Sequence, residues 1–322
     1  MKAVRIHEHG GPEVLRYEDV PVPDPGRGEA RVRIEAIGVN FLDTYHRTGL
    51  YKVTLPFTPG SEAAGVVDAL GPEVTEARPG DRVAWAMYPG AYAGCAVVPA
   101  WRLVPLPDAI DFRTAAAVMV QGMTVEYLTH STYPVKRGDT VLVHAAGGGT
   151  GQLLVQVCKQ LGATVFGTAS TEEKAALARE AGADEVIRYT AEDFEEAVRR
   201  LTNGRGVDVV YDSVGKTTAE KSLNCLRPRG YLVLFGNASG APPAFDPLTL
   251  MAKGSLYLTR PSLGHYIATR EELLARAGTV FDWIAREQLR VRIAQVFPLQ
   301  NAAEAHRQLE GRQLPGKGLL LP

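Results

Sequence analysis

The chain has 322 residues, of which 45% are hydrophobic, and a formal net charge of −1. That length suggests about two domains with ample apolar material for their cores, and the near-neutral balance offers no field to recruit nucleic acid or an acidic membrane surface. Its three cysteines, Cys95, Cys158 and Cys225, are isolated, which excludes a disulfide framework and fits a reducing compartment.

Met1 to Ile6 reads as a short strand and carries no apolar signal-peptide core. No apolar run approaches the roughly 20 residues of a membrane helix. A soluble, cytoplasmic protein is expected. The first hundred residues hold short strands between Gly and Pro punctuation. Ala30 to Ala36 alternates with period two, and Ala63 to Gly71 and Asp81 to Ala86 follow as further strands. This predicts an irregular, barrel-like β domain. Between two of these strands, Asn40 to Tyr51 gathers polar, aromatic and charged residues in what reads as a loop able to line a substrate site. Glu62, in Gly60-Ser61-Glu62, reads as structural.

From residue 112 the pattern changes. Helices are predicted at Phe112 to Val120 and Thr124 to Tyr133. Strands are then expected at 140–144, 164–168, 185–187, 207–212, 230–236 and 255–259, separated by helices at 151–161, 172–181, 191–202 and 217–226. Strands alternating with helices imply right-handed crossovers and a parallel sheet, and six of them match the doubly wound order 3-2-1-4-5-6. A helix near 270–287 and the apolar strand Gly318 to Leu321 close the chain, the tail rejoining the first domain.

The glycine turn after the first of these strands, His144-Ala145-Ala146-Gly147-Gly148-Gly149-Thr150-Gly151, is the strongest motif. Read as Ala146-x-Gly148-x-x-Gly151, it is a variant of the dinucleotide fingerprint. Ala146 would serve the tight turn, Gly148 would admit a pyrophosphate to the backbone, and Gly151 would let the helix approach the sheet. The helix N-terminus offers N–H groups and a positive dipole end. An NAD-preferring site places a carboxylate at the end of the second strand. Here that end is Ala169-Ser170, with Lys174 soon after and Tyr189 following the third strand. A hydroxyl and a cation suit a 2′-phosphate, which favours NADPH. Asp212-Ser213-Val214-Gly215 and Phe235 to Gly240 end the fourth and fifth strands, where a dinucleotide would run. No metal site stands out among seven scattered histidines and three cysteines, and no Gly-x-Ser-x-Gly elbow appears.

Together with Gly10 to Leu15, Gly80 to Val83 and the run Gly254 to Leu263, these segments resemble the zinc-independent quinone oxidoreductases, the zeta-crystallin-like branch of the medium-chain dehydrogenases/reductases. The resemblance spans nearly the whole chain. It implies a GroES-like irregular β-barrel catalytic domain (1–124 and 260–322) and a doubly wound Rossmann domain (125–259) with a six-stranded parallel sheet, NADPH lying in the cleft. It implies that Phe41 and Tyr45 approach the nicotinamide side with Tyr127 nearby, and that Gly149 and Thr150 meet the pyrophosphate. Ser170, Lys174 and Tyr189 would surround the 2′-phosphate. Asn237, Ala238, Ser239 and Gly240 would flank the nicotinamide nucleotide with Leu263, Gly264 and His265, and Lys317 would approach from the tail. Zinc-dependent relatives carry a histidine ligand where Ser61 stands, and a cysteine ligand in the region of Asn40. The chain departs from the pattern at Thr150, Gln121 and Glu126.

The expected reaction is NADPH-dependent quinone reduction. A quinone is already activated, so a metal-free site needs chiefly to hold donor and acceptor at attack distance. Asn40 and Tyr45 are candidates to hydrogen-bond a quinone oxygen, Asp43 to orient them, and Tyr51 to serve as a second phenol. The alternatives are reduction of α,β-unsaturated ketones or aldehydes by the same cofactor, and a non-catalytic NADPH-binding structural or RNA-binding role. The sixth strand would be an apolar sheet edge, and the resemblance implies a homodimer joining two such edges.

Overall fold

The computed structural model describes all of residues 1–322. In chain order it contains β1 (Lys2–Arg5), β2 (Arg16–Asp19), β3 (Glu29–Gly38), α1 (Phe41–Thr48), β4 (Glu62–Leu70), β5 (Arg82–Ala86), β6 (Cys95–Pro99), β7 (Val104–Pro105) and α2 (Phe112–Tyr127). The alternating half follows: β8 (Thr140–Val143), α3 (Gly149–Gln160), β9 (Thr164–Ala169), α4 (Glu172–Glu180), β10 (Glu185–Arg188), α5 (Phe194–Leu201), β11 (Val207–Asp212), α6 (Ala219–Asn224), β12 (Leu226–Leu234), α7 (Pro247–Ala252), β13 (Tyr257–Thr259) and α8 (Leu263–Tyr266). Last come α9 (Arg270–Ala285), β14 (Ile293–Pro298), α10 (Ala302–Glu310) and β15 (Lys317–Leu321). The chain divides into one unit of Met1–Met123 with Tyr266–Pro322 and a second of Thr124–His265.

In the first unit β3 is the organising strand. Its period-two pattern buries Ala30, Val32, Ile34 and Ala36. It pairs antiparallel with β4 along its length, with β6 over Glu29 to Arg33, and with β15 at Ile37 and Gly38. The tail thus returns to this sheet through β15, which lies between β14 and β3. Trp85, Val83, Ile34, Phe297 and Leu320 share its core, each large apolar side chain worth about 1.5–3 kcal/mol of burial.

The second unit is a parallel sheet in the order β10-β9-β8-β11-β12-β13, which is the doubly wound order 3-2-1-4-5-6. The apolar strands β8 and β11 are central, and strands covered on both faces read as near-continuous apolar runs. Leu142, Val210, Leu232, Phe194 and Leu223 form its core.

Three local expectations differ from the structure. Asn40 to Tyr51 is largely a helix, α1, with Asn40 at its N-cap and Gly49 in the left-handed conformation at its end. The helices predicted at 112–120 and 124–133 are one helix, α2, that runs on into a π-helical turn at Leu128–Thr132. Gly122 does not break it because the glycine is a packing site: a Cβ there would stand 2.7 Å from Val280 Cγ1 of α9. Finally, where Ala146 was expected to serve the tight turn, it is the preceding Ala145 that takes the left-handed conformation, with φ 52°. Ala146 is buried and packs so closely on β9 that a Cβ on Gly167 would lie 2.7 Å from its own.

Candidate active site

In the second unit, Gly148 is the N-cap of α3, and the first helical bond runs from Gln152 N–H to the Gly148 carbonyl at 2.9 Å. Gly149, Thr150 and Gly151 therefore form the first turn, whose N–H groups precede the helical ladder and suit an anion. The glycines do different work. A Cβ on Gly151 would stand 2.2 Å from the Ala145 carbonyl oxygen, and one on Gly147 would stand 2.4 Å from that of Lys174. A Cβ on Gly148 would meet only the Ala145 oxygen, at 3.2 Å. Two glycines thus close the loop on the scaffold and onto α4, while the third leaves its outer side open. That cradle fits a pyrophosphate.

Gly147 packing on Lys174 places the start of α4 against the loop. Beside it, the Ser170 carbonyl accepts from Thr190 Oγ1 at 2.9 Å, and Tyr189 N–H reaches the Ala169 carbonyl at 3.2 Å. Ser170, Lys174 and Tyr189 therefore stand at neighbouring strand and helix ends. The turns after β11 and β12 are tied together by backbone bonds from Ala238 to Ser213, Ser239 to Val214 and Lys216 to Gly240. Ser239 Oγ also donates to the Val214 carbonyl at 2.8 Å, so this hydroxyl braces the loops. Asn237 caps the same double turn through its carbonyl, which accepts from Gly240 N–H. Tyr127 is buried at the end of α2, Leu263 is buried in α8, and His265 is exposed.

A polar cluster that sequence reading did not anticipate supports this edge. Asp212 accepts from Val214 and Gly215 N–H, from Thr218 and from Ser222. Since the Ser222 proton goes to Asp212, His144 Nε2–H donates to Ser222 Oγ (3.0 Å), and Nδ1 faces Thr168 Oγ1 at the same distance. Burial pushes the His144 pKa down, so the ring is neutral. The cluster pins the ends of β8, β9 and β11 to α6.

The first unit holds the other half of the predicted residues. Phe41 and Tyr45 lie one turn apart on α1, their rings 6.4 Å apart, and Tyr51 meets Tyr45 edge-on at 5.3 Å. These three make an aromatic surface. Asn40 and Lys317 face inward instead. Asn40 Nδ2 donates to Glu62 Oε1 at 2.7 Å, and its Oδ1 accepts from Lys317 Nζ at 2.8 Å. Lys317 and Glu62 form an ion pair with both side chains fully buried, and the other Glu62 oxygen accepts from Val120 N–H at 2.6 Å. Asn40 thus has both ends of its amide engaged by protein, and Glu62 is the hub of the cluster.

Asp43 is also fully buried. Its carboxylate accepts from Asn40 N–H (2.9 Å), Ser61 Oγ (2.8 Å) and Tyr92 Oη (3.2 Å). Burial pushes its pKa up to about 6, although Ser61, the Asn40 N–H and Lys317 favour the charged form. No group of three His, Cys, Asp or Glu side chains is gathered as a metal ion would require.

Against this geometry, residues 26–108 match the alcohol dehydrogenase GroES-like domain and residues 149–277 match the zinc-binding dehydrogenase family. Over 323 residues, covering 100% of this chain and 99% of the relative, the sequence is 50% identical to a quinone oxidoreductase of Pseudomonas aeruginosa. The chain belongs to the zinc-independent quinone oxidoreductases. Another relative, a 2-haloacrylate reductase of a Burkholderia species, is 46% identical over 99% of this chain and 98% of its own. Among solved structures, the Escherichia coli quinone oxidoreductase complexed with NADPH superimposes with a TM-score of 0.98 at 45% identity, covering 100% of both chains. This quinone oxidoreductase has a GroES-like domain and a Rossmann-like one. None of its helices is long and apolar enough to cross a membrane.

Proposed function

We propose that the protein reduces quinones with NADPH, the net reaction being NADPH, a proton and a quinone giving NADP⁺ and the hydroquinone. The observation that carries this reading is the end-to-end match to quinone oxidoreductases, one of them complexed with NADPH. Bound NADPH supplies the hydride. The chain's own part is to hold it and the acceptor. The first turn of α3 takes the pyrophosphate on backbone N–H groups, and Gly148 leaves room for it. Ser170, Lys174 and Tyr189 take the 2′-phosphate. The turns Ser213-Val214 and Asn237 to Gly240, with Leu263 to His265, line the nucleotide's path along the strand ends. Phe41, Tyr45 and Tyr51 offer ring faces and edges to a flat acceptor, and the phenols of Tyr45 and Tyr51 supply hydrogen bonds to its oxygen. Asn40, Glu62 and Lys317 support α1 from beneath.

The match to a 2-haloacrylate reductase favours a second reading, reduction of an activated alkene by the same machinery. Initial rates of NADPH oxidation with a naphthoquinone, phenanthrenequinone, 2-chloroacrylate and an alkenal separate the two. Quinones are expected to be turned over fastest; alkene turnover without quinone turnover would replace the first reading by the second.

We further infer a homodimer. β13 is the last strand of its sheet, and unpaired edges invite pairing. Tyr257 on it is 51% exposed although stacked on Tyr231, and Leu248 and Met251 of the preceding helix are 64% and 65% exposed. Light scattering at micromolar concentration is expected to give twice the chain mass; a monomer mass would contradict the inference.

A further inference from the structure

Behind Asp43 lies a chain of buried groups to which none of the steps above assigns a task. Arg47, at the far end of α1, is held by a two-pronged pair with Glu310 at 2.7 and 3.0 Å and donates from Nε to the Gly10 carbonyl. Its Nη1 also lies 2.9 Å from His306 Nδ1. A guanidinium can only donate, so Nδ1 is the acceptor and the ring proton sits on Nε2. That proton faces Tyr92 Oη at 2.9 Å. With its oxygen accepting from His306, the Tyr92 hydroxyl is left to donate to Asp43. Every bond in the series Arg47, His306, Tyr92, Asp43 therefore has one permitted direction, and all four side chains are at most 1% exposed. Glu310, the outer anchor, is one-third exposed.

The series connects the two ends of one short helix by way of α10 and the segment between β5 and β6. We propose that Tyr92 and His306 are positioning residues of the reaction, acting through Asp43 to hold α1 and the aromatic pair Phe41 and Tyr45 in one orientation. This rests on the reading that α1 meets the acceptor. The physical basis is the carboxylate's position. Asp43 sits in the first turn of α1, where a negative charge is favoured, and it fastens the Asn40 backbone and Ser61, the residue just before β4. The charges facing it are Lys317 from β15, Glu62 from β4 and Arg47 from its own helix; Tyr92 and His306 reach it as neutral groups. Burial holds the His306 pKa down at about 3, with Arg47 adding to the effect, so the relay keeps its direction across the working range.

Protonating Asp43 places a hydrogen on one of the two oxygens that share three donors, weakens that set of bonds and loosens the cap of α1. An acid limb near pH 6 in kcat/KM for a naphthoquinone is therefore expected. Tyr92→Phe removes one donor to the carboxylate and is expected to move that limb up by about one to two pH units. His306→Leu should move it in the same direction. His306→Gln, whose amide accepts from Arg47 and donates to Tyr92, should restore the wild-type limb. In Asp43→Asn the limb should vanish, and adding Tyr92→Phe should produce no further shift. Should these variants fold poorly, infrared difference spectra of the wild-type protein carry the test: the protonated carboxyl band, identified by its loss in Asp43→Asn, should appear as pH falls through about 6 and be absent at pH 7.5. A Tyr92→Phe protein that loses thermal stability with its acid limb unmoved, or a wild-type Asp43 already protonated at pH 7.5, would overturn the proposal while leaving quinone reduction standing. Absence of quinone turnover in the wild type would sink the functional reading itself.

Discussion

Lys317→Met is expected to destabilise the protein by about 3–5 kcal/mol, the typical cost of breaking a buried ion pair from one side. The ammonium is wholly enclosed and has Asn40 Oδ1 and Glu62 as partners. Removing it leaves the Glu62 carboxylate with only Asn40 Nδ2 and Val120 N–H, both neutral donors, deep in apolar surroundings. A buried charge without its counterion is far more costly than the pair itself. The effect should reach beyond stability. Glu62 lies at the start of β4, Lys317 at the start of β15, and Asn40 caps α1. Freed from Lys317, Asn40 can rotate its amide, and the cap of α1 loosens. Quinone turnover should therefore fall even at temperatures where the variant remains folded. The double variant Glu62→Gln/Lys317→Met should lose less than the sum of the single losses, because removing both charges removes the uncompensated one. Urea unfolding measures each quantity; a single-variant loss below about 1 kcal/mol would show that the pair is solvated or replaceable.

Gly151→Val should abolish measurable NADPH binding, weakening it by at least ~100-fold, or roughly 2.7 kcal/mol. Its Cβ would stand 2.2 Å from the Ala145 carbonyl oxygen and 2.8 Å from Ala146 Cα, both backbone atoms that cannot swing aside. The glycine turn must open, and Ala145, already in the left-handed region where residues with a Cβ are uncommon, has little freedom to give. The first turn of α3 then no longer presents its N–H groups together. Gly148→Ala is the informative companion. The scaffold has room for that methyl group, apart from one contact at 3.2 Å. Its thermal stability should be close to that of the wild type while NADPH affinity drops, because on the proposed reading the added methyl takes up room left for the pyrophosphate. Calorimetric titration with thermal melts checks both; equal NADPH affinity in wild type and Gly151→Val would show that the phosphates bind elsewhere.

The second unit was legible because its signals are local. Each strand is an apolar run, each helix an amphipathic one, and strand alternation with helices leaves few topologies open. The order 3-2-1-4-5-6 is among those few, and the structure adopts it. Where the local signal was misread, the cause is identifiable. The aromatic and charged mixture at 40–51 resembles a loop, yet Asn40 and Asp43 have the spacing of an N-cap with its third helical residue, and Gly49 supplies the left-handed stop. Two helices were expected at 112–120 and 124–133, but the chain stays helical between them, and Gly122 there admits the close approach of Val280. The support of α1 was not legible at all. Arg47 and His306 are 259 residues apart, and Lys317 and Asn40 are 277 apart. No periodicity or motif links residues so distant; only the return of α10 and β15 to the first sheet brings them together. For the same reason Asn40 was expected to meet a quinone oxygen, and Lys317, by the family resemblance, to approach the nucleotide, while the fold turns both toward Glu62.

The central claim is that the phosphorylated nucleotide drives quinone reduction on this chain. The most direct test is kcat/KM for NADPH and for NADH, measured with the same saturating naphthoquinone. Ser170 and Lys174, with no carboxylate at the end of β9, predict a preference for NADPH of at least ~10-fold, or about 1.4 kcal/mol. Equal or better turnover with NADH, or no quinone reduction with either nucleotide, would contradict the account.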